Sequence, residues 1–500
     1  MKWLCSIFLL CFFSCGGNFT INQQSKEVLD IFPDYKEITI PYNIAPLNFK
    51  LADPNRELAF VCVELEDEKW NIPAKSGQIW IPEKKWHALL DNAKGKEIKV
   101  TIVCQESGKT VAYAPFHWEV SKEPIDCYLV YRLIEPGYEI WNQMGIYQRD
   151  LESFEQIPII ENKQTKNNCM NCHSFCNRDA KQMLFHMRAS LGGTVMVRDG
   201  ELEVLDTKTD QTISGLVYPY WHPSGKYVAF STNKTTQMVH PSNRVEVFDT
   251  ASDIVIYQVD NHQITTSSKV ASPDAFETFP SFSPDGKTLY YCSAPALSMP
   301  DSISRLRYSL CAVPFDAKTG KIGNQVDTLF QSEDYQQSFL FPRISPDGRY
   351  LLGTTTAYGT FPIWHKDANL CLIDLQQGRV MQSLKVNSED TDSYHSWSSN
   401  SRWIAFSSRR LDGLYTRIYI GYMSESGELE KAFLLPQQDV DYYKRFMKSY
   451  NIPEFATHKV NVNVAEIREM ALKQRVKVTL KNNSKKRMLK IAFKRYLNGV

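Results

Sequence analysis

Between residues 38 and 120, apolar and polar positions alternate in short runs: 37–42, 57–65, 77–82, 97–104 and 110–120. A period of two is that of a half-buried strand, and Pro and Gly stand between the runs. About six strands in roughly a hundred residues predict a β-sandwich of immunoglobulin-like size over 16–125. The pattern then loosens. Residues 141–149 and 179–188 carry enough helix formers to predict short helices within a junction over 126–195. Gly192-Gly193 ends the second and opens a strand.

Further on, one pattern recurs. Tyr220-Trp221-His222-Pro223-Ser224-Gly225, Pro280-Ser281-Phe282-Ser283-Pro284-Asp285-Gly286, Pro342-Arg343-Ile344-Ser345-Pro346-Asp347-Gly348 and His395-Ser396-Trp397-Ser398-Ser399-Asn400-Ser401 align. Each is followed by an alternating strand pattern. Positions 223, 284, 346 and 399 lie 61, 62 and 53 residues apart, room for one four-stranded sheet plus loops. Proline presets φ, Asp accepts a backbone bond, and Gly takes the positive φ of a tight hairpin. In the fourth copy, Ser399-Asn400-Ser401 replaces Pro-Asp-Gly. Asp249, Asp285, Asp347 and Asp374 fall at strand ends or turns and read as parts of the repeat. Trp221 and His222 read as packed aromatics.

Composition supports the β reading: 25 Tyr, 26 Phe and 10 Trp in 500 residues are β-formers. The net charge of +1 gives no argument for nucleic acid. The basic residues gather at the end: from Asp441 on, 15 Lys plus Arg face 4 Asp plus Glu. That segment, 436–500, includes a basic amphipathic stretch over 485–497, suited to anionic lipid, an acidic partner or the rest of the chain. At the start, Lys2, the apolar run 3–13, Ser14 and Cys15 form a secretory signal. Cys15-Gly16-Gly17-Asn18 resembles a bacterial lipobox. The expectation is a signal over 1–15, a lipid on Cys15, and a protein at the periplasmic side of the envelope, favouring the outer membrane.

Export changes how the 12 cysteines are read. Cys62 and Cys104 stand on separate strand patterns of one domain and are placed to pair. Cys311 and Cys371 occupy matching repeat positions and read as buried core residues. The sharpest chemistry is Cys169-Met170-Asn171-Cys172-His173. C-x-x-C-H is the arrangement that attaches a c-type haem, both thiols adding to vinyl groups and the imidazole ligating iron. One haem c is therefore expected on Cys169, Cys172 and His173, with His186 as sixth ligand and Met183 or Met187 as alternatives. Cys176 makes a third thiol, so zinc held with His173 or His186 is the alternative cofactor, and a disulfide a third reading. No G-x-S-x-G nucleophile elbow occurs.

The four copies resemble the TolB-like propeller repeat, marked by a proline or aromatic, then S-P-D-G-K/R, then an aromatic-rich strand. The resemblance covers roughly 196–435. It implies a β-propeller, of six blades by the family's number, with a partial first blade at Gly193-Thr194-Val195-Met196-Val197 through Glu203-Val204-Leu205-Asp206. The chain also looks like exported Gram-negative lipoproteins that place C-x-x-C-H directly before such a propeller. What this implies is electron transfer or haem-dependent sensing, with the propeller docking a periplasmic protein partner. The other reading is a non-redox scaffold.

Overall fold

The computed structural model describes residues 19–135, 143–241, 244–473 and 475–481. The fold is mainly β. In the N-terminal unit, strand Glu97–Glu106 pairs on one edge with Glu57–Leu65 and on the other with Lys109–Ala112 and Phe116–Ser121. A small second sheet joins Ile31–Phe32, Phe49–Leu51 and Gln78–Ile79. A helix, Glu83–Asn92, packs Trp86 edge-on against Trp118 with ring centroids 5.5 Å apart. Each indole N–H donates to a carbonyl, Trp86 to Ile44 (2.8 Å) and Trp118 to Tyr35 (2.7 Å), so both rings bury without an orphaned donor. This core runs unbroken into Trp397, Trp403 and Phe433 of the later sheets.

Cys62 and Cys104 do not pair. Cys62 stands opposite Thr101, so Cys104 lies three residues further along its strand. At ~3.3 Å per residue that is ~10 Å, beyond the ~7 Å Cα separation a disulfide tolerates.

The remaining described chain builds six sheets of four or five strands. Five begin with β1 (Met170–Phe175), β2 (Leu216–Trp221), β3 (Ala275–Phe282), β4 (Ser338–Ile344) and β5 (Asp392–Trp397). The sixth begins with β6 (Ser449–Ala456), which pairs antiparallel with Tyr128–Ile134. That sheet continues through Met144–Asp150 and Gln156–Glu161, so its strands come from both ends of the six-sheet region. The first strands touch in the order β1, β2, β3, β4, β5, β6 and back to β1, a closed ring.

Two helix expectations fail. Residues 144–149 of the first segment lie in the strand Met144–Asp150 (141 and 142 lie outside the described residues), and the second contains the strand Gln182–Met187. The ladder decides: Met183, Leu184, Phe185 and Met187 are fully buried between neighbouring sheets, where both faces of a strand are covered. The described part of the segment 126–195 is therefore mostly strand, and its strands belong to the ring of sheets. The segment after 435 also contributes to the ring, because it carries β6. Beyond β6, helix Val464–Lys473 buries Ile467 and Ala471. Arg475–Lys477 and Thr479–Leu480 then add parallel outer strands to two successive sheets. The basic stretch 485–497 and Cys15 lie outside the described residues.

The repeat turns behave as their chemistry demands. Gly225, Gly286 and Gly348 sit at φ of 70°, 71° and 75°, and Ser401 takes the same place at 64°. In all four the residue before the turn closes it through its own N–H, as Ser283 does to Thr288 (2.9 Å) and Ser398 to Trp403 (2.8 Å). A fifth copy has neither Pro nor Gly in its turn: Cys176 N–H donates to the Gln182 carbonyl (2.9 Å) across a turn one residue longer.

Close packing gives a direct prediction. A Cβ at Gly353 would lie 2.0 Å from the Phe339 ring. Gly353→Ala should cost about 1–3 kcal/mol through overpacking, read as a lower urea midpoint with unchanged m-value.

Candidate functional site

Each first strand carries one β-bulge, and at each bulge one residue is left-handed: Cys172 (φ 57°), Tyr218 (50°), Phe279 (51°), Phe341 (54°), Tyr394 (47°) and Ile452 (54°). Left-handed backbone is costly without glycine, so six in equivalent places mark a conformation imposed by the ring. All six line one axial cavity of ≈ 60 Å³. A second cavity of ≈ 280 Å³ adjoins it through shared walls at Arg343 and Glu454, and reaches the repeat turns at Pro284 and Pro346.

C-x-x-C-H is thus part of the repeat. Cys172-His173 holds the place of Tyr218-Pro219, Phe279-Pro280, Phe341-Pro342, Tyr394-His395 and Ile452-Pro453. His173 Nε2 lies 3.2 Å from the Val130 carbonyl, and His395 Nε2 lies 2.9 Å from that of Leu352. A carbonyl only accepts, so Nε2 carries the proton in both rings. Each imidazole reaches the second strand of the preceding sheet. Both Nδ1 atoms are buried without a partner among the described residues. Burial pushes His173 down to about 4 and His395 down to about 3, and both rings are neutral at pH 7.

The other expected ligands face elsewhere. His186 stands opposite Asn171 in the ladder, with Nδ1 3.3 Å from Thr194 Oγ1. Its Cε1 lies 3.5 Å from where a Cβ on Gly215 would be, toward the following sheet, whereas His173 reaches back to the preceding one. The two rings flank opposite sides of their sheet and cannot share an iron. Burial, then the Arg188 charge, push His186 down to about 3. Met183 and Met187 are fully buried in the apolar cluster with Val130 and Phe185.

The three thiols also part company. Cys169 packs against that same cluster, Cys176 belongs to the cluster around Trp221 and Tyr257, and Cys172 lines the axial cavity. Among the described residues no three His, Cys, Asp or Glu side chains converge as a metal site. The zinc set is not assembled. Haem fits no better: the strand spreads the two thiols, His173 Nε2 is tied to the Val130 carbonyl, and ≈ 60 Å³ is several-fold below the ~300–1,000 Å³ of ordinary cofactor pockets. Burial raises the Cys172 thiol.

Of the acidic repeat residues, Asp285 and Asp347 sit in their turns as expected. Asp249 does not. It is buried, accepts from Asn233 Nδ2 (2.6 Å) and Thr235 Oγ1 (2.6 Å), and burial pushes it up to about 6.

No family model matches the chain, and no curated protein matches it. Among solved structures it is similar to a puromycin-hydrolyzing peptidase of Mycobacterium tuberculosis, at 11% identity and a TM-score of 0.34 over 80% of this chain and 57% of that one. Prolyl oligopeptidase B from Galerina marginata aligns at 9% identity and a TM-score of 0.36, over 78% and 54%. The chain spans little more than half the length of either protein, and scores this low leave its own geometry to speak for the site.

Proposed function

We propose that the chain is an exported, lipid-anchored scaffold of TolB-like type that binds a ligand in its axial cavity and carries no haem. In this reading the six sheets are the blades of a closed propeller, behind an N-terminal domain of immunoglobulin-like size. Cys15 is the lipid site, the periplasmic side of the envelope is the setting, and the propeller faces a protein partner. The observation that carries the reading is the ring: six equivalent bulges aim side chains at one cavity, and Cys172-His173 is one of the six. An imidazole that ties two blades through Nε2 has a structural task, which His395 repeats without any C-x-x-C before it.

Electron transfer through haem c is the rival that the motif alone favours. The experiment is expression in a host with haem-ligation machinery, followed by a denaturing gel stained for covalent haem, beside Cys172→Ala and a control cytochrome. The scaffold predicts no stain and no Soret band in well-expressed protein. A stained band that Cys172→Ala abolishes would overturn it and make the protein a cytochrome.

A further inference from the structure

Across the six first strands, the residue two past the left-handed position is Ser174, Tyr220, Ser281, Arg343, Ser396 and Glu454. Two of these depart from the small or neutral pattern by bringing charge to the axis. Arg343 Nη1 donates to the Pro342 carbonyl (3.1 Å), its guanidinium lies 4.9 Å from the Tyr220 ring centroid, and Nη2 stops 4.0 Å short of the Glu454 carboxylate. The two side chains are only 18% and 17% exposed. A third charged group, Arg132, enters from the strand beside β6. With the Asn451 amide turned to satisfy its neighbours, Arg132 Nη2 donates to it at 3.1 Å. No carboxylate lies within 4.0 Å of Arg132 among the described residues.

The charge therefore does not balance. Two guanidiniums and one carboxylate line the same cavity, and burial raises the Glu454 carboxyl, which weakens its hold on a negative charge. Ten N–H donors meet two recorded acceptors. Enclosed cations with spare donors call for an anion, and guanidinium forks match a carboxylate best. The rest of the wall is apolar: Tyr218, Phe279, Phe341, Phe361 and Tyr394. At about 10–15 Å³ per water-sized centre, ≈ 60 Å³ holds roughly four to six heavy atoms.

Resting on the scaffold reading above, we infer that the axial cavity binds a short-chain monocarboxylate, its carboxylate on Arg343 and Arg132 and its alkyl end among the aromatic rings. The aromatic wall is what separates this ligand from inorganic phosphate, which has no apolar end.

The test uses the whole purified chain and three probe sets: acetate, propionate and butyrate; their neutral amides; and inorganic phosphate at matched ionic strength. Calorimetry and the thermal midpoint read binding. The carboxylates should bind and raise the midpoint at least tenfold more effectively than the amides or phosphate. Arg343→Gln should abolish that difference with an unchanged circular-dichroism spectrum. Glu454→Gln removes the competing carboxylate and should tighten binding several-fold, which keeps the test open if Arg343→Gln does not fold. Equal response to amide and carboxylate, a preference for phosphate, or unaltered affinity in both variants would each overturn the inference. Haem staining reads the scaffold assignment separately: an unstained protein that ignores carboxylates sinks the ligand class alone.

Discussion

Unfolding free energy should fall by roughly 2–3 kcal/mol per pH unit on acidification around pH 5. The cause is three imidazoles buried in neutral form: His173, held down to about 4, and His186 and His395, each held down to about 3. Unfolded, each takes a proton as pH falls through about 6.5; folded, each refuses it until well below 5. Their stabilisation is complete above pH 6.5 and drains away as pH falls toward the folded values. Asp249 works the other way. Its buried carboxyl, pushed up to about 6, already holds a proton at pH 5, whereas the unfolded side chain gains one only near 3.8. Three protons taken up on unfolding, less about one released, leave two, at about 1.4 kcal/mol per proton and pH unit. Glu454, raised by burial, subtracts a little more. Urea midpoints from pH 7.5 to 4.5 measure the slope. His395→Gln keeps an amide N–H for the Leu352 carbonyl but cannot titrate, so its slope should be shallower by about 1.4 kcal/mol per pH unit. A stability flat from pH 7 to 5, or a variant with the parental slope, would mean the rings are hydrated in solution.

The legibility of this chain follows the distance over which each signal acts. The hairpins at Pro284-Asp285-Gly286 and Pro346-Asp347-Gly348 are local chemistry, and the sheets they open were plain from sequence. Ser401 shows the tolerance of such a turn, since serine accepts the φ that glycine usually supplies there. The copy at Ser174-Phe175-Cys176-Asn177-Arg178-Asp179 was there to be read, for Ser281-Phe282-Ser283-Pro284-Asp285-Gly286 matches its first two residues. It lacks the Pro and Gly that mark the other hairpins, and it directly follows C-x-x-C-H, a stronger local signal of a different kind. Helix propensity misled at 179–188, because the covered faces of the ladder outweigh a few tenths of a kcal/mol per residue. The charged wall of the cavity lay beyond reach. Arg132, Arg343 and Glu454 come together only when β6 closes the ring; the one available clue was that Arg343 stands where three aligned repeats have Ser or Tyr.

Cutting the chain after residue 447 should abolish cooperative folding, whereas a cut after 461 should leave a folded protein of reduced stability. The first removes β6. Tyr128–Ile134 then loses its inner partner, the ring opens between β5 and β1, and Arg343 loses Glu454. Tyr450 and Phe455, both fully buried, leave with the strand. At about 1.5–3 kcal/mol for each large side chain, with the ladder bonds and the orphaned edge besides, the loss approaches the whole ~5–15 kcal/mol of a domain. The second cut keeps β6 and, of the described elements, removes helix Val464–Lys473 and the two short outer strands, where the buried apolar residues are few: Ile467, Ala471 and Val478. Solubility, near-ultraviolet circular dichroism and urea transitions of the two truncations separate the cases. A peptide spanning 447–458, added during refolding, should restore a cooperative transition to the shorter chain by completing the open sheet. If the 447 truncation unfolds at the midpoint of the intact chain, β6 does not close the ring, and the axial cavity it helps to wall would not exist in solution.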